Sequence, residues 1–221
     1  MVRIVIRVVG VLFLVPMVLS ILYNWINPVS TLMLARWVTG QNVERVWTPI
    51  EDISPTLIRT VLASEDSSFC SHGGIDFGEI RRMMSRAESL GDMRGTSTIS
   101  MQVVKNLFLW QKPEIPRKIL ELPLTLWLDL VMSKRRILEI YLNVAEWGPD
   151  GQFGITAGAR SAFNTGPDKL TARQSALLAV MLPNPQHRRA NAPSPGVSRL
   201  AARLQVRVPK ADANMASCIL R

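Results

Sequence analysis

From residue 8 to residue 26 the chain carries no charged side chain, and only Gly10, Pro16, Ser20 and Asn24 break the apolar run. A helix rises about 1.5 Å per residue, so a run of this length matches the roughly 30 Å of a bilayer hydrocarbon core. It predicts a cytoplasmic N-terminus over 1–7 and a transmembrane anchor over 8–26. Arg3 and Arg7 precede the run, and the next positive charge is Arg36. That asymmetry keeps the amino end in the cytoplasm and places the rest of the chain outside. A cleaved signal peptide is the competing reading. The run is longer than a signal core, and Asn24-Trp25-Ile26-Asn27-Pro28 has no small-x-small cleavage pattern, which favours a retained anchor.

The 221 residues, 48% of them hydrophobic, allow an anchor plus one soluble domain with its own core, and leave no room for a second catalytic domain. A net charge of +9 suits nucleic acid, an anionic lipid surface or a phosphate-bearing substrate alike. Cys70 and Cys218 are the only cysteines. An oxidising compartment permits a disulfide between them, but their spacing does not require one. With His72 and His187 as the only histidines, a zinc cluster is not expected.

Residues 27–53 read as a connector. Ser54-Pro55 is a helix start, because proline fits the first helical position behind a serine cap. Leu57, Ile58, Val61 and Leu62 follow at helical spacing, which leaves Glu65 and Asp66 at the helix end. Carboxylates there meet an unfavourable dipole, so a purpose other than helix stability is implied. Residues 75–94 are methionine-rich with glycine at both sides and predict short helical pieces. Gly95-Thr96-Ser97-Thr98 opens a helix through Asn106, whose 100° steps put Thr98, Gln102 and Lys105 on one face.

Leucines at 120, 122, 124, 126, 128 and 130 alternate as in a strand, but Pro123 opposes that reading. Ser133 then caps an amphipathic segment over 134–142. Both stretches are assigned as helical. Residues 148–158 read as a glycine-rich loop. Thr171-Ala172-Arg173-Gln174 is a capping box ahead of a helix over 175–182, ended by Pro183 and Pro185. Residues 186–221 form a basic, proline-containing tail with an amphipathic stretch carrying Arg199, Leu200, Arg203 and Leu204.

Four segments concentrate chemistry-bearing residues: Glu65-Asp66-Ser67-Ser68-Phe69 with His72-Gly73-Gly74; residues 95–106; Arg117-Lys118-Ile119-Leu120-Glu121; and residues 134–143. Each residue also has an ordinary reading. Glutamates are mostly solvated surface groups, and runs of Lys and Arg are mostly solvated faces. Phe69 and Tyr141 fit core packing, His72 a structural hydrogen bond, and Ser97 a helix cap.

Taken in order, the four segments resemble the peptidoglycan glycosyltransferases of family 51 over roughly residues 45–185. With no penicillin-binding domain behind them, the likeness is to the monofunctional biosynthetic form. The resemblance implies a mainly α fold: an N-terminal transmembrane helix, then a lysozyme-like, two-lobed glycosyltransferase domain over 54–185. It also implies the reaction, in which lipid-linked disaccharide-peptide (lipid II) is joined into β-1,4 strands with inversion and release of undecaprenyl pyrophosphate. By resemblance Glu65 is the general base and Glu121 the second catalytic glutamate. Ser97, Thr98, Gln102, Lys105, Arg117, Lys118 and Lys134 bind substrate and pyrophosphate, and Asp66, Phe69 and His72 support the first motif. No cofactor is obligatory; Glu121 is the one candidate ligand for Mg²⁺ or Mn²⁺.

The implied partners are lipid II, the growing strand, the membrane and other cell-wall synthesis proteins, not nucleic acid. The implied location is the bacterial inner membrane, single-pass, with the domain on the periplasmic side. These residue types suit that chemistry. Attack by a hydroxyl with inversion needs a base opposite the leaving group, and a pyrophosphate leaving group needs positive charge more than a proton.

Met101 stands where the family has the first of two glutamines, and Ala162-Phe163 where it has an aromatic pair. A lysozyme-like hydrolase or lytic transglycosylase is a rival reading, but it leaves Lys105, Arg117 and Lys118 unexplained. A non-enzymatic, membrane-anchored basic binding protein is another.

Overall fold

The computed structural model describes residues 2–85, 97–211 and 213–220, with the side chains of 2–9, Leu12, Ile115, Lys210 and Ala213 aside. Among them are ten α-helices and one two-stranded parallel sheet, as the mainly α expectation requires.

The central helix, α5 (Ile99–Phe108), is capped by Thr98, whose hydroxyl accepts the Met101 N–H. It packs on α6 (Glu114–Val131) and α7 (Lys134–Val144). A second group consists of α3 (Pro55–Glu65), α9 (Ala172–Ala179) and α10 (Pro195–Arg207). The capping box at Thr171 and Gln174 forms as its sequence predicts, although the helix behind it is Ala172–Ala179 rather than 175–182. One apolar core runs through both groups, with Leu57, Ile58, Leu62, Ile99, Leu128 and Ile137 fully buried. Each such side chain contributes about 1.5–3 kcal/mol relative to exposure.

The alternating leucines of α6 are resolved by the helical period. Leucines four apart share a face, so Leu124 and Leu128 are buried while Leu122, Leu126 and Leu130 point outward. Pro123 is tolerated on the exposed side.

The structure corrects four boundaries. The helix α1 spans Val2–Leu22 with Pro16 inside it, rather than 8–26. Among the described residues no helix is long and apolar enough to cross a membrane. Helix α1 packs on α6, and Trp127 Nε1 donates to the Met17 carbonyl.

Residues 27–53 are not a plain connector. They form α2 (Thr31–Val38) and strand β1 (Glu44–Arg45), and they bury Met33, Ile50 and Ile53 in the core. The glycine-rich stretch 148–158 holds strand β2 (Gln152–Phe153), which pairs with β1, and the start of α8 (Ile155–Phe163).

Residues 186–221 are part of the fold rather than a tail. The helix α10 buries Val197, Ala201 and Leu204 against α3 and α9, and Met215, Ala216 and Ile219 join the core. A Cys70–Cys218 disulfide fastens this end to the first motif. Of residues 75–94, α4 (Phe77–Met84) is one of the short helical pieces expected, and residues 86–94 lie outside the described residues.

Candidate active site

Glu65 is the last residue of α3, at the junction of the two helix groups. Its Oε2 accepts from Gln102 Nε2 at 3.2 Å, and its Oε1 accepts from Ser64 Oγ at 3.1 Å. Gln102 Oε1 in turn accepts the Tyr141 hydroxyl at 3.2 Å. This chain uses one residue from each of α3, α5 and α7, which is why α5 must present Gln102 toward α3. Met101, the departure in the second motif, faces the core at 5% exposed, so the remaining glutamine is the one that meets the carboxylate.

Burial pushes the Glu65 carboxyl above the ordinary glutamate range, while Gln102, Ser64 and the charges of Lys105 and Arg188 pull it back. Burial, with help from Glu65 and Asp66, keeps the Tyr141 phenol protonated well above its ordinary range.

Lys105 lies three residues beyond Gln102 on α5, and its ammonium is within electrostatic reach of Glu65, Glu121, Glu114 and Arg117. Burial first, and Arg117 second, lower its pKa, and the glutamates oppose this. Arg117 and Glu121, four apart on α6, form a buried ion pair. Burial raises the Glu121 carboxyl, against the pull of Arg117, Lys105 and Lys118. Lys118 is exposed on the same helix. Glu65, Lys105, Arg117 and Glu121 are therefore one electrostatic cluster.

A metal at Glu121 finds little protein to hold it. Among the described residues no group of three or more metal-ligating side chains exists, and Glu121 Oε2 is already engaged by Arg117. No step is assigned to a cation.

Other expected residues serve the framework. Asp66 is buried and accepts the Ile99 N–H at 2.9 Å and the His72 ring at 2.9 Å. The partner acid of His72 lies six residues upstream, invisible to a search of its immediate neighbours. Thr98 Oγ1 donates to the Gly74 carbonyl at 2.6 Å. Asp66, His72 and Thr98 thus tie the first motif to the start of α5.

Lys134 binds Asp129 at 2.6 Å and sits 4.6 Å from the Phe69 ring centroid. Phe69 itself is fully buried, as its core reading expects. Neither cleft beside Glu65 is lined by Lys134. Ser97 does line one of them, while Gly95 and Thr96 lie outside the described residues.

Two clefts flank the Glu65-Gln102-Tyr141 chain. One, of about 280 Å³, is walled by Glu65, Ser67, Ser68, Ser97 and Arg207. The other, of about 310 Å³, is walled by Gln102, Lys105, Tyr141, Glu146 and Gln186. Glu146 is bound on its two oxygens by Arg36 at 2.5 Å and Gln186 at 2.7 Å. These three residues, with Tyr141 as a hydrogen-bonding group, escaped the sequence reading because they lie far apart in the chain.

A half-buried carboxylate that lines one cleft and is bonded to a glutamine lining the next, with cations in both, is the arrangement of a helical enzyme with an extended groove. Comparison with known proteins gives the family: the transglycosylase family model matches residues 31–207, so the chain belongs to the transglycosylase family and is a glycosyltransferase. The match extends beyond 45–185 at both ends, in keeping with the structured roles of α2 and α10.

Among curated relatives, a biosynthetic peptidoglycan transglycosylase of Rhodopseudomonas palustris is 54% identical over 96% of this chain and 89% of its own. Those of Nitrobacter hamburgensis and Brucella suis biovar 1 are 52% and 49% identical, over 94% and 88% of this chain and 92% and 88% of theirs.

Proposed function

We propose that this protein polymerises a lipid-linked disaccharide-peptide, lipid II, into β-1,4 glycan strands of peptidoglycan. The observation that carries the reading is the half-buried Glu65 carboxylate, held by Gln102 and within electrostatic reach of Lys105, with the Arg117–Glu121 pair in the same electrostatic cluster. Glu65 takes the proton of the incoming sugar 4-hydroxyl as its oxygen bonds to the anomeric carbon. The bond from that carbon to pyrophosphate breaks with inversion, and the charge released falls on Lys105, Arg117 and Lys118. Arg117 offers a planar fork for phosphate oxygens, and Glu121 holds that fork in place. Glu65 afterwards returns its proton to solvent.

The site acts at the cell envelope. In the finer reading α1 is a single-pass inner-membrane anchor and the enzyme faces the periplasm as a lysozyme-like, two-lobed head. Supporting this, Leu14, Val18, Trp25 and Ile26 are all more than half exposed, as are Ile119 and Leu130 of α6. Apolar side chains in such numbers favour contact with lipid over water, and an insoluble polyprenyl donor has to be met there. Other cell-wall synthesis proteins are proposed partners.

The test is strand formation from lipid II by the purified full-length protein beside Glu65→Gln. Long strands from the parent and none from the variant support the reading. Sugar fragments released from finished wall, with no polymer from lipid II, would instead identify a lytic enzyme.

A further inference from the structure

A third cleft, of about 350 Å³, opens between α10 and the end of α9 and is lined by Ser64, Leu200, Arg188, Arg203 and Arg207. It shares Ser64 and Arg207 with the Glu65 cleft, so the two adjoin. The hydroxyl of Ser64 donates to Glu65 itself.

Three guanidinium groups meet here, and among the described residues none is in an ion pair with a carboxylate. Two are oriented by main-chain carbonyls: Arg188 donates to Val180 O at 2.5 Å, and Arg207 donates to Ala63 O. Arg203 is exposed. Sugar hydroxyls are neutral and do not call for three cations. Guanidinium forks match planar oxyanions, above all carboxylate and phosphate.

On the precursor, the pyrophosphate is matched by Lys105, Arg117 and Lys118, which come from α5 and α6. The arginine cleft lies on the opposite group of helices and adjoins the Glu65 cleft at Ser64 and Arg207. We propose that Arg188, Arg203 and Arg207 form a subsite for the carboxylates of the peptide carried by the disaccharide, so that the enzyme recognises the acidic peptide as well as the sugar. This rests on the polymerase reading above.

The experiment compares two lipid-linked substrates, one with free peptide carboxylates and one with those carboxylates converted to amides, using the full-length protein. The parent is expected to show a KM about tenfold lower for the acid form, the order of one charge-assisted contact. Arg203→Gln should bring the two KM values together, and Arg203→Lys should restore part of the difference. Because Arg203 is exposed and holds no hydrogen bond among the described residues, both variants should keep the parental circular dichroism.

Equal KM values for the two forms in the parent would overturn the subsite while the polymerase reading stood. A loss in Arg203→Gln that is the same for acid and amide forms would assign the arginines to pyrophosphate and likewise overturn it. No polymer from either form would overturn the polymerase reading and the subsite with it.

Discussion

In the proposed reaction Glu65 carries two opposed demands. As a base it must be ionised, yet burial favours its neutral form and raises its pKa. For a carboxyl with a raised folded-state pKa, the associated stability is complete below the ordinary glutamate value, about 4.3, and is lost as pH rises through the folded value. Glu65→Gln resembles the neutral form at every pH. It should therefore have a higher Tm than the parent at pH 7, with the difference gone below about pH 4, while polymerisation falls by about 10²–10⁴-fold. Thermal unfolding at the two pH values and an initial-rate assay check both halves.

The same balance shapes the pH profile. Activity should rise on the acid side through the raised Glu65 pKa, and fall on the basic side through a Lys105 pKa lowered by burial. Gln102→Leu removes the hydrogen bond that draws Glu65 downward, so its acid limb should move to higher pH. An unmoved limb would mean that Gln102 does not govern ionisation of the base.

Among the elements, α5 and α6 do most to place the chemistry. The former carries Gln102 and Lys105 one helical turn apart, and the latter carries Arg117 and Glu121 at the four-residue spacing that brings them together. The loop after α3 is held by Asp66, His72 and Thr98, and from the other end of the chain by Cys218. The disulfide joins residues 148 apart, and closing so long a loop restricts the unfolded chain. Cys218→Ser should cost about 2–4 kcal/mol. Denaturant unfolding with and without reductant measures this, and a midpoint insensitive to both changes would show the bond to be dispensable.

In the whole molecule, α1 and α10 bracket the helices of the candidate site. The helix α10 closes the core over α3 and α9, while α1 touches α6 alone among the larger contacts. Deletion of residues 1–26 should therefore lower use of substrate embedded in vesicles more than use of detergent-dispersed substrate, and leave cooperative unfolding in place. Equal activity on the two substrates would argue against an anchoring role.

Local signals in the sequence were enough for the helix starts at Pro55 and Lys134 and for the capping box at Thr171, because proline, serine and capping-box chemistry act within a single turn. Spacing along α5 and α6 likewise sets which side chains share a face, Gln102 with Lys105 and Arg117 with Glu121. The connector over 27–53 and the basic tail over 186–221 were misjudged because their burial depends on partners outside their own segments, α5 and β2 for the first and α3 and α9 for the second. For the same reason only the tertiary structure decided that Asp66 pairs with His72, that Tyr141 completes the chain to Glu65, and that Arg203 meets Arg188 and Arg207 in one cleft. Periodicity and capping are properties of neighbours along the chain, whereas burial, ionisation and the shape of a cleft arise only where distant segments pack together.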